Sequence, residues 1–349
     1  MAIAILGFGV VGSGFYENVK DTNLKIKYVY GRPNKVLPDG LKLTSNIDDI
    51  LNDDEVDIVV ETLGGFDFAY SMIKKCLMAH KNVVTANKEV VAIAIDELTD
   101  LAKENGVMFL FEAAVCGSVP IVRNLFELRQ KEEILEIEAI TNGTTNYILT
   151  NMFLGNDFQT VIDKAIELGY AERNCDNDLL GLDSLRKIAI MADIAYNTKI
   201  NLDNVLTYGI KNVDAKIIND IKKQGYILKS ISSIKKNKDS ICIKTIPTLL
   251  DLDHPLARTD DTHNRVIVKT NKGVYEFSGT GAGGYPTGSI VYEDVKLVLN
   301  KYNYNDYENN KTLFINNKVN KYYVVDDNDN YKIIDKLDKN YKFIAEYKK

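Results

Sequence analysis

The sequence predicts an α/β fold in which a Rossmann-type, doubly wound parallel sheet is followed by an α+β domain. Three observations carry this expectation. A β-branched apolar run at residues 2–6 leads straight into the glycine turn GFGVVG. Similar runs then recur with helix-like segments between them, as alternating strands and helices of a parallel sheet do. From about residue 135 the texture changes to apolar and polar residues in alternation, the pattern of half-buried antiparallel strands.

Taken in order, residues 2–6 form the first predicted strand, since continuous apolar runs are typical of strands covered on both faces. Residues 24–30, 56–62, 82–86 and 107–112 are the next four. In the second half, residues 134–141, 241–246, 266–270 and 274–278 alternate as strands. Helical spacing is clearest at residues 160–168 and 182–196. Asn, Asp, Lys and Tyr dominate the last forty or so residues, which read as hairpins or a small appended module. The expected division is 1–134 for the nucleotide-binding Rossmann domain and 135–285 for the second domain. Residues 286–305 are expected to return to the first domain as a helix, and 306–349 to form a C-terminal extension.

A chain of 349 residues with 45% hydrophobic content can build two domains with real cores. Its 43 Lys and Arg against 49 Asp and Glu give a net charge of -6, which supplies no basic field for nucleic acid. The four cysteines, Cys76, Cys116, Cys175 and Cys242, form no CxxC pair and suggest reduced thiols of the cytoplasm rather than zinc ligands or disulfides. The apolar start lacks a cationic leader and is broken by glycines, so it does not resemble a signal peptide. No run reaches the roughly 18 apolar residues of a membrane helix. The expectation is a cytoplasmic protein with no membrane partner.

Gly7, Phe8, Gly9, Val10, Val11 and Gly12 form a GxGxxG directly after a strand and at the start of a helix, the setting in which it binds a dinucleotide. Gly7 permits the tight turn, Gly9 lets the backbone approach pyrophosphate, and Gly12 allows close packing of the helix. The helix N-terminus favours phosphate charge. An NAD site usually carries an acid at the end of the second strand, about 20 residues on, to hold the ribose 2′-hydroxyl. Here the chain reads YVYGRPNK, and Arg32, with Lys35, suits a 2′-phosphate. NADP is favoured, and NAD stays compatible. Thr62 and Gly64 fall just beyond the strand at 56–62, where such folds place ligands.

In LDSLRK, Asp183 and Lys187 are four apart on a predicted helix. Such a pair is ordinarily a surface contact worth about 0.2–0.5 kcal/mol. Lys88 by itself reads as a solvated surface residue.

Several stretches together resemble homoserine dehydrogenase: VVETLGGFDFAYSMI, VVTANKEVVA, EAAVCGSVPI, TNGTTNYILTNM, LGYAE with LLGLDSLRKIAI, and SGTGAGGYPTGS. The resemblance spans about residues 1–295. It implies NAD(P)-dependent interconversion of L-aspartate 4-semialdehyde and L-homoserine, a second domain devoted to substrate binding and dimerisation, and a homodimer. It makes Lys187 the acid that protonates the carbonyl oxygen and places Lys88 between cofactor and substrate. Chemically this is sound, because hydride arriving at an aldehyde carbon leaves alkoxide charge that an ammonium can stabilise and quench. Glu172 and Asp183 match the family's substrate contacts, with Tyr170, Thr145 and Asp178 expected nearby.

The resemblance also implies a monovalent cation, usually sodium, bound by the Glu112 carboxylate and the main-chain carbonyls of Val115, Gly117 and Val119. Oxygen-only ligation suits a hard cation. Gly283, in GTGAGG, is implied near the nicotinamide. The chain departs from the family at Cys116, Ser118, Asn174 and Cys175. Too few residues follow position 295 to complete the ACT regulatory domain of many bacterial members, so threonine feedback is not expected. The rival expectations are another Rossmann reductase of a small amino-acid aldehyde and a non-catalytic NAD(P)-sensing module.

Overall fold

The computed structural model describes residues 2–281, 283–305, 313–338 and 340–348. The chain begins with β1 (Ala2–Leu6), α1 (Val10–Val19), β2 (Ile26–Tyr30), β3 (Lys42–Thr44), α2 (Asp48–Leu51) and β4 (Val56–Glu61). It continues through α3 (Asp67–Met78), β5 (Asn82–Thr85), α4 (Lys88–Glu104), β6 (Phe109–Leu110) and α5 (Val122–Lys131). Next come β7 (Ile134–Ile140), α6 (Gly143–Phe153), α7 (Phe158–Glu167), α8 (Asp176–Leu179), α9 (Leu182–Tyr196), β8 (Leu206–Thr207) and α10 (Ala215–Lys223). The paired strands β9 (Tyr226–Asn237) and β10 (Ser240–Asp251) precede β11 (His263–Thr270), β12 (Val274–Thr280) and α11 (Gly284–Leu299). Last are β13 (Phe314–Ile315), β14 (Tyr322–Val325), β15 (Tyr331–Ile334) and β16 (Phe343–Tyr347).

The chain divides into two units, Met1–Gln130 with Gly283–Asn310, and Lys131–Ala282 with Lys311–Lys349. In the first, six strands lie in the order β3-β2-β1-β4-β5-β6, and all their pairings are parallel. Every residue of β1 is buried, as its unbroken apolar run requires. The strand order reverses between β1 and β4, so the loops that follow these two strands flank the switch point where such sheets bind ligands. Helix α11 packs on α1 through glycines: a Cβ on Gly14 would lie 2.0 Å from the Gly284 carbonyl oxygen.

The second unit holds a mixed sheet ordered β12-β11-β7-β9-β10-β16-β14-β15, with β8 and β13 also pairing with β10. Helices α6, α7 and α10 contribute Ile148, Leu149, Val161, Ile217 and Ile221 to its core. Tyr323, Val325, Phe343 and Ala345 complete that core. The C-terminal strands are therefore part of the sheet and not a separate appendage, because their period-2 apolar residues close the core of this unit. A hairpin is present in β14 and β15.

β3, β8 and β9 escape the sequence pattern, β8 with only two residues. β3 is only three residues long. β9 is buried over seven consecutive residues, Leu228 to Ile234, and this stretch includes Lys229, Ser230, Ser232 and Ser233, so no clean alternation marks it. Lys229 is fully buried, with Nζ donating to the Thr259 carbonyl at 2.6 Å and to Asp260 Oδ1 at 3.2 Å. Conversely, the strand expected at residues 107–112 shrinks to Phe109–Leu110, since Glu112 turns into a short 3-10 helix.

Candidate active site

In the first unit the glycine turn is tightly built around positions that admit no side chain. Gly7 has φ +91°, and a Cβ on Gly12 would sit 2.3 Å from the Gly7 carbonyl oxygen, so both positions exclude a side chain. Gly9 differs, with open space where a Cβ would stand. It is the N-cap of α1 and offers no side-chain cap, leaving the first amides of that helix to face outward. Phe8 lies against Tyr16, with ring centroids 5.9 Å apart, while Val10 is 73% exposed and Val11 half-buried. The Thr62 hydroxyl donates to the Gly7 carbonyl at 2.7 Å and ties the loop after β4 to the turn. Gly283, at φ +128°, is the N-cap of α11, and a Cβ on Gly284 would lie 2.5 Å from the Val10 carbonyl oxygen. The two glycine segments, far apart in sequence, thus abut. Arg32 and Lys35 are exposed in the turn beyond β2, and Gly64 is exposed beyond β4.

Lys88 is half-buried as the first residue of α4, and its place is set by neighbours from three segments. Asn87 caps the helix by accepting from Glu89 N and Val90 N, while its Nδ2 donates to the carbonyls of Leu63 (3.1 Å) and Gly65 (2.9 Å). Below it, the fully buried Glu61 accepts from Leu63 N at 2.6 Å and from the Thr85 hydroxyl, which itself accepts from Asn87 N. Burial pushes the Glu61 carboxyl up to about 7, although hydrogen bonds from Thr85 and Leu63 oppose the rise.

Glu112 is buried, and its two carboxylate oxygens accept from Val122 N (2.7 Å) and Arg123 N (2.8 Å) at the start of α5. Burial raises this carboxyl to about 7. Its backbone N–H donates to Asp294, which also accepts from the Tyr304 hydroxyl. Val115 and Val119 are buried and Gly117 is half-buried, the chain reversing through left-handed Cys116 (φ 57°) and Gly117 (φ 62°). Oxygen donors of the Glu112 kind suit a hard cation, and here both carboxylate oxygens are engaged by backbone N–H groups. Among the described residues there is no group of three or more His, Cys, Asp or Glu that could hold a metal ion.

In the second unit the structure gathers acids and a lysine around α6 and α9. Lys187 Nζ lies 2.7 Å from Asp183 Oδ2 and donates to the Thr141 carbonyl at 2.8 Å. The two side chains are 10% and 3% exposed, so the pair is not the surface contact that i,i+4 spacing alone suggests. Asn142 Nδ2 donates to Asp183 Oδ2 (2.8 Å) and to Asp178 Oδ1 (2.7 Å). The Tyr170 ring meets that of Tyr147 edge-on at 5.2 Å. Thr145 does not face this group with its hydroxyl, which bonds the Asn142 carbonyl in its own turn; the neighbouring Thr144 reaches the Tyr170 carbonyl. Glu172 is exposed on the loop between α7 and α8, outside the buried cluster.

Comparison with known proteins gives the family. A family model described as homoserine dehydrogenase matches residues 120–295, and one for its NAD-binding domain matches residues 7–112. The homoserine dehydrogenase of Bacillus subtilis is 35% identical over 313 residues, which cover 85% of this chain and 72% of that protein. The chain belongs to the homoserine dehydrogenase family.

Solved structures agree. That of a homoserine dehydrogenase from Thiobacillus denitrificans superposes with a TM-score of 0.85 at 30% identity, covering 93% of this chain and 82% of that one. A hyperthermophilic archaeal homoserine dehydrogenase in complex with NADPH gives 0.73 at 26% identity, covering 86% and 98%. As a homoserine dehydrogenase, the protein is an NAD(P)-dependent oxidoreductase of amino-acid biosynthesis, with a nicotinamide cofactor and a small-molecule substrate. None of the helices among the described residues is long and apolar enough to cross a membrane.

Several residues that hold the expected site side chains lie outside the set the sequence singles out. Asn142, Thr144, Asn87 and Glu61 all fall inside the motifs TNGTTN, TANK and VVETLGG, which is the signal that could have found them. Their role is to hold other groups, and that depends on partners far away in sequence.

Proposed function

We propose that the protein catalyses the reversible reduction of L-aspartate 4-semialdehyde to L-homoserine with NADP as the preferred cofactor and Lys187 as the proton donor. The observation that carries the reading is the buried cluster of Lys187, Asp183 and Asn142 with the half-buried Asp178 at its edge, a lysine held beside acids that suit an amino-acid substrate. The glycine turn, Thr62, Gly64 and Gly283 would hold a nicotinamide dinucleotide, with Arg32 and Lys35 meeting a 2′-phosphate. Bound there, that cofactor supplies the hydride.

The residues of this chain do the rest. Asp183, Asp178 and, from the exposed loop, Glu172 offer carboxylates to the substrate's α-ammonium, with Tyr170 as a further contact, while the Thr145 hydroxyl is spent within its own turn. As the aldehyde carbon is reduced, the Lys187 ammonium stabilises the developing alkoxide and passes its Nζ proton to the oxygen. In the oxidative direction the neutral amine takes that proton back. Lys88, the first residue of α4, is the second lysine that the family resemblance assigns to the reaction. Glu112, with the carbonyls of Val115, Gly117 and Val119, would hold sodium or another monovalent cation. A cytoplasmic homodimer completes the reading, and the mass in solution tests the dimer.

The direct test is homoserine-dependent reduction of NADP and of NAD by purified protein, with and without sodium or potassium. The reading expects turnover, higher kcat/KM with NADP, and a response to the cation. No rate above background with either cofactor would sink it.

A further inference from the structure

We propose that Asn142 is a positioning residue of this reaction, its carboxamide holding the carboxylates of Asp178 and Asp183 in the orientation that the substrate and Lys187 meet. The inference rests on the functional reading above.

Asn142 stands at the N-cap of α6, where its Oδ1 accepts from Thr145 N at 2.8 Å. A cap needs only that acceptor, and Ser or Asp would supply it equally well. The other end of the side chain distinguishes this position. Because Oδ1 is taken by the helix, Nδ2 must point away from it, and it donates to Asp178 Oδ1 at 2.7 Å and to Asp183 Oδ2 at 2.8 Å. Of the capping residues, only Asn combines the acceptor with two N–H donors on one nitrogen.

The consequence is mechanical and electrostatic together. Asp178 belongs to α8, four residues long, and Asp183 to the first turn of α9; one buried amide joins both to α6. Asp183 Oδ2 is shared with Lys187 Nζ, so the amide also helps to fix the lysine that gives the proton. Among the contacts described, the charged groups that meet Asn142 or its partners are Asp178, Asp183 and Lys187, and Asp176 is paired to Lys211 at the far end of α8. A carboxylate at position 142 would face two others at hydrogen-bonding distance with no proton to donate.

Two variants separate positioning from capping, since both keep the cap. Asn142→Ser is expected to lower kcat/KM for homoserine by about tenfold to a hundredfold, the loss expected when hydrogen bonds to charged groups are removed. KM for NADP should stay unchanged, and the protein should remain folded with a small drop in melting temperature, since two carboxylates lose a donor. Asn142→Asp is expected to lose at least as much near pH 8 and to recover part of it towards pH 6, where its added carboxyl can carry a proton and donate again. Wild-type kcat/KM in both variants would overturn the inference, as would unfolding of both or an equal rise in both KM values. If the wild-type protein turns over no homoserine, the functional reading fails separately. The inference is then read from the carboxyl 13C signals of Asp178 and Asp183: Asn142→Ser shifts their titration if the amide holds them, and unshifted curves would overturn it.

Discussion

Lys187 Nζ and Asp183 Oδ2 lie 2.7 Å apart in the interior of the second unit, with the lysine also bonded to the Thr141 carbonyl. Buried pairs behave asymmetrically: removing one partner strands the other charge, while replacing both is far less costly. Lys187→Met alone should therefore destabilise the fold by on the order of 3 kcal/mol. The double change Lys187→Met with Asp183→Asn should recover much of that loss in urea titrations. Additive losses would show that the two groups do not interact.

The glycine segments give a second prediction because their positions differ in kind. Gly9→Ala meets open space and should leave stability within about 0.5 kcal/mol of the wild type while weakening NADP binding about tenfold. Gly14→Ala places a methyl 2.0 Å from the Gly284 carbonyl oxygen and should cost roughly 3 kcal/mol or more. Thermal melts with nucleotide titrations separate the two. Equal behaviour would mean that the turn serves packing alone.

Asn87 should act through both ends of its amide. Asn87→Ala should cost about 1–2 kcal/mol from the lost cap of α4 and raise the cofactor KM, because the Leu63 and Gly65 carbonyls lose their donor. Asn87→Asp keeps the cap, so it should recover stability but not KM. Recovery of both would limit Asn87 to capping.

How much of this was legible in the sequence depends on the range of the interactions. The 182–196 helix matches α9, because apolar residues at helical spacing carry their own signal. GFGVVG announces its geometry for the same reason: Gly7 and Gly12 meet within one turn. β9 was hidden because Lys229 is buried against polar partners supplied by Asn146, Thr259 and Asp260, and Ser232 against the Thr245 hydroxyl. The Asn142 amide was hidden too, since its partners Asp178 and Asp183 lie about forty residues on and local pattern shows only a helix cap. Spacing alone also left the Lys187–Asp183 pair on the surface, where burial by the surrounding elements removes it.

Glu61 predicts a pH dependence. Burial lifts its carboxyl from the ordinary 4.5 to about 7, so the unfolded chain ionises first as pH rises. Its contribution is fully present below about 4.5 and is lost as pH climbs through 7, a swing of about 3 kcal/mol. Glu61→Gln should make the stability curve less steep between pH 4.5 and 7.5 in urea denaturation, with Glu112, raised in the same way, keeping its own share. An identical pH profile in the variant would show that Glu61 is already ionised in the folded protein.

The proton-donor role of Lys187 is tested most directly by steady-state homoserine oxidation with NADP in wild-type protein and Lys187→Ala, at a temperature where both are folded. A positioned acid and base contributes about 10²–10⁴-fold. The variant should lose kcat in that range while still binding NADP. Turnover within tenfold of the wild type, from a folded variant, would contradict it.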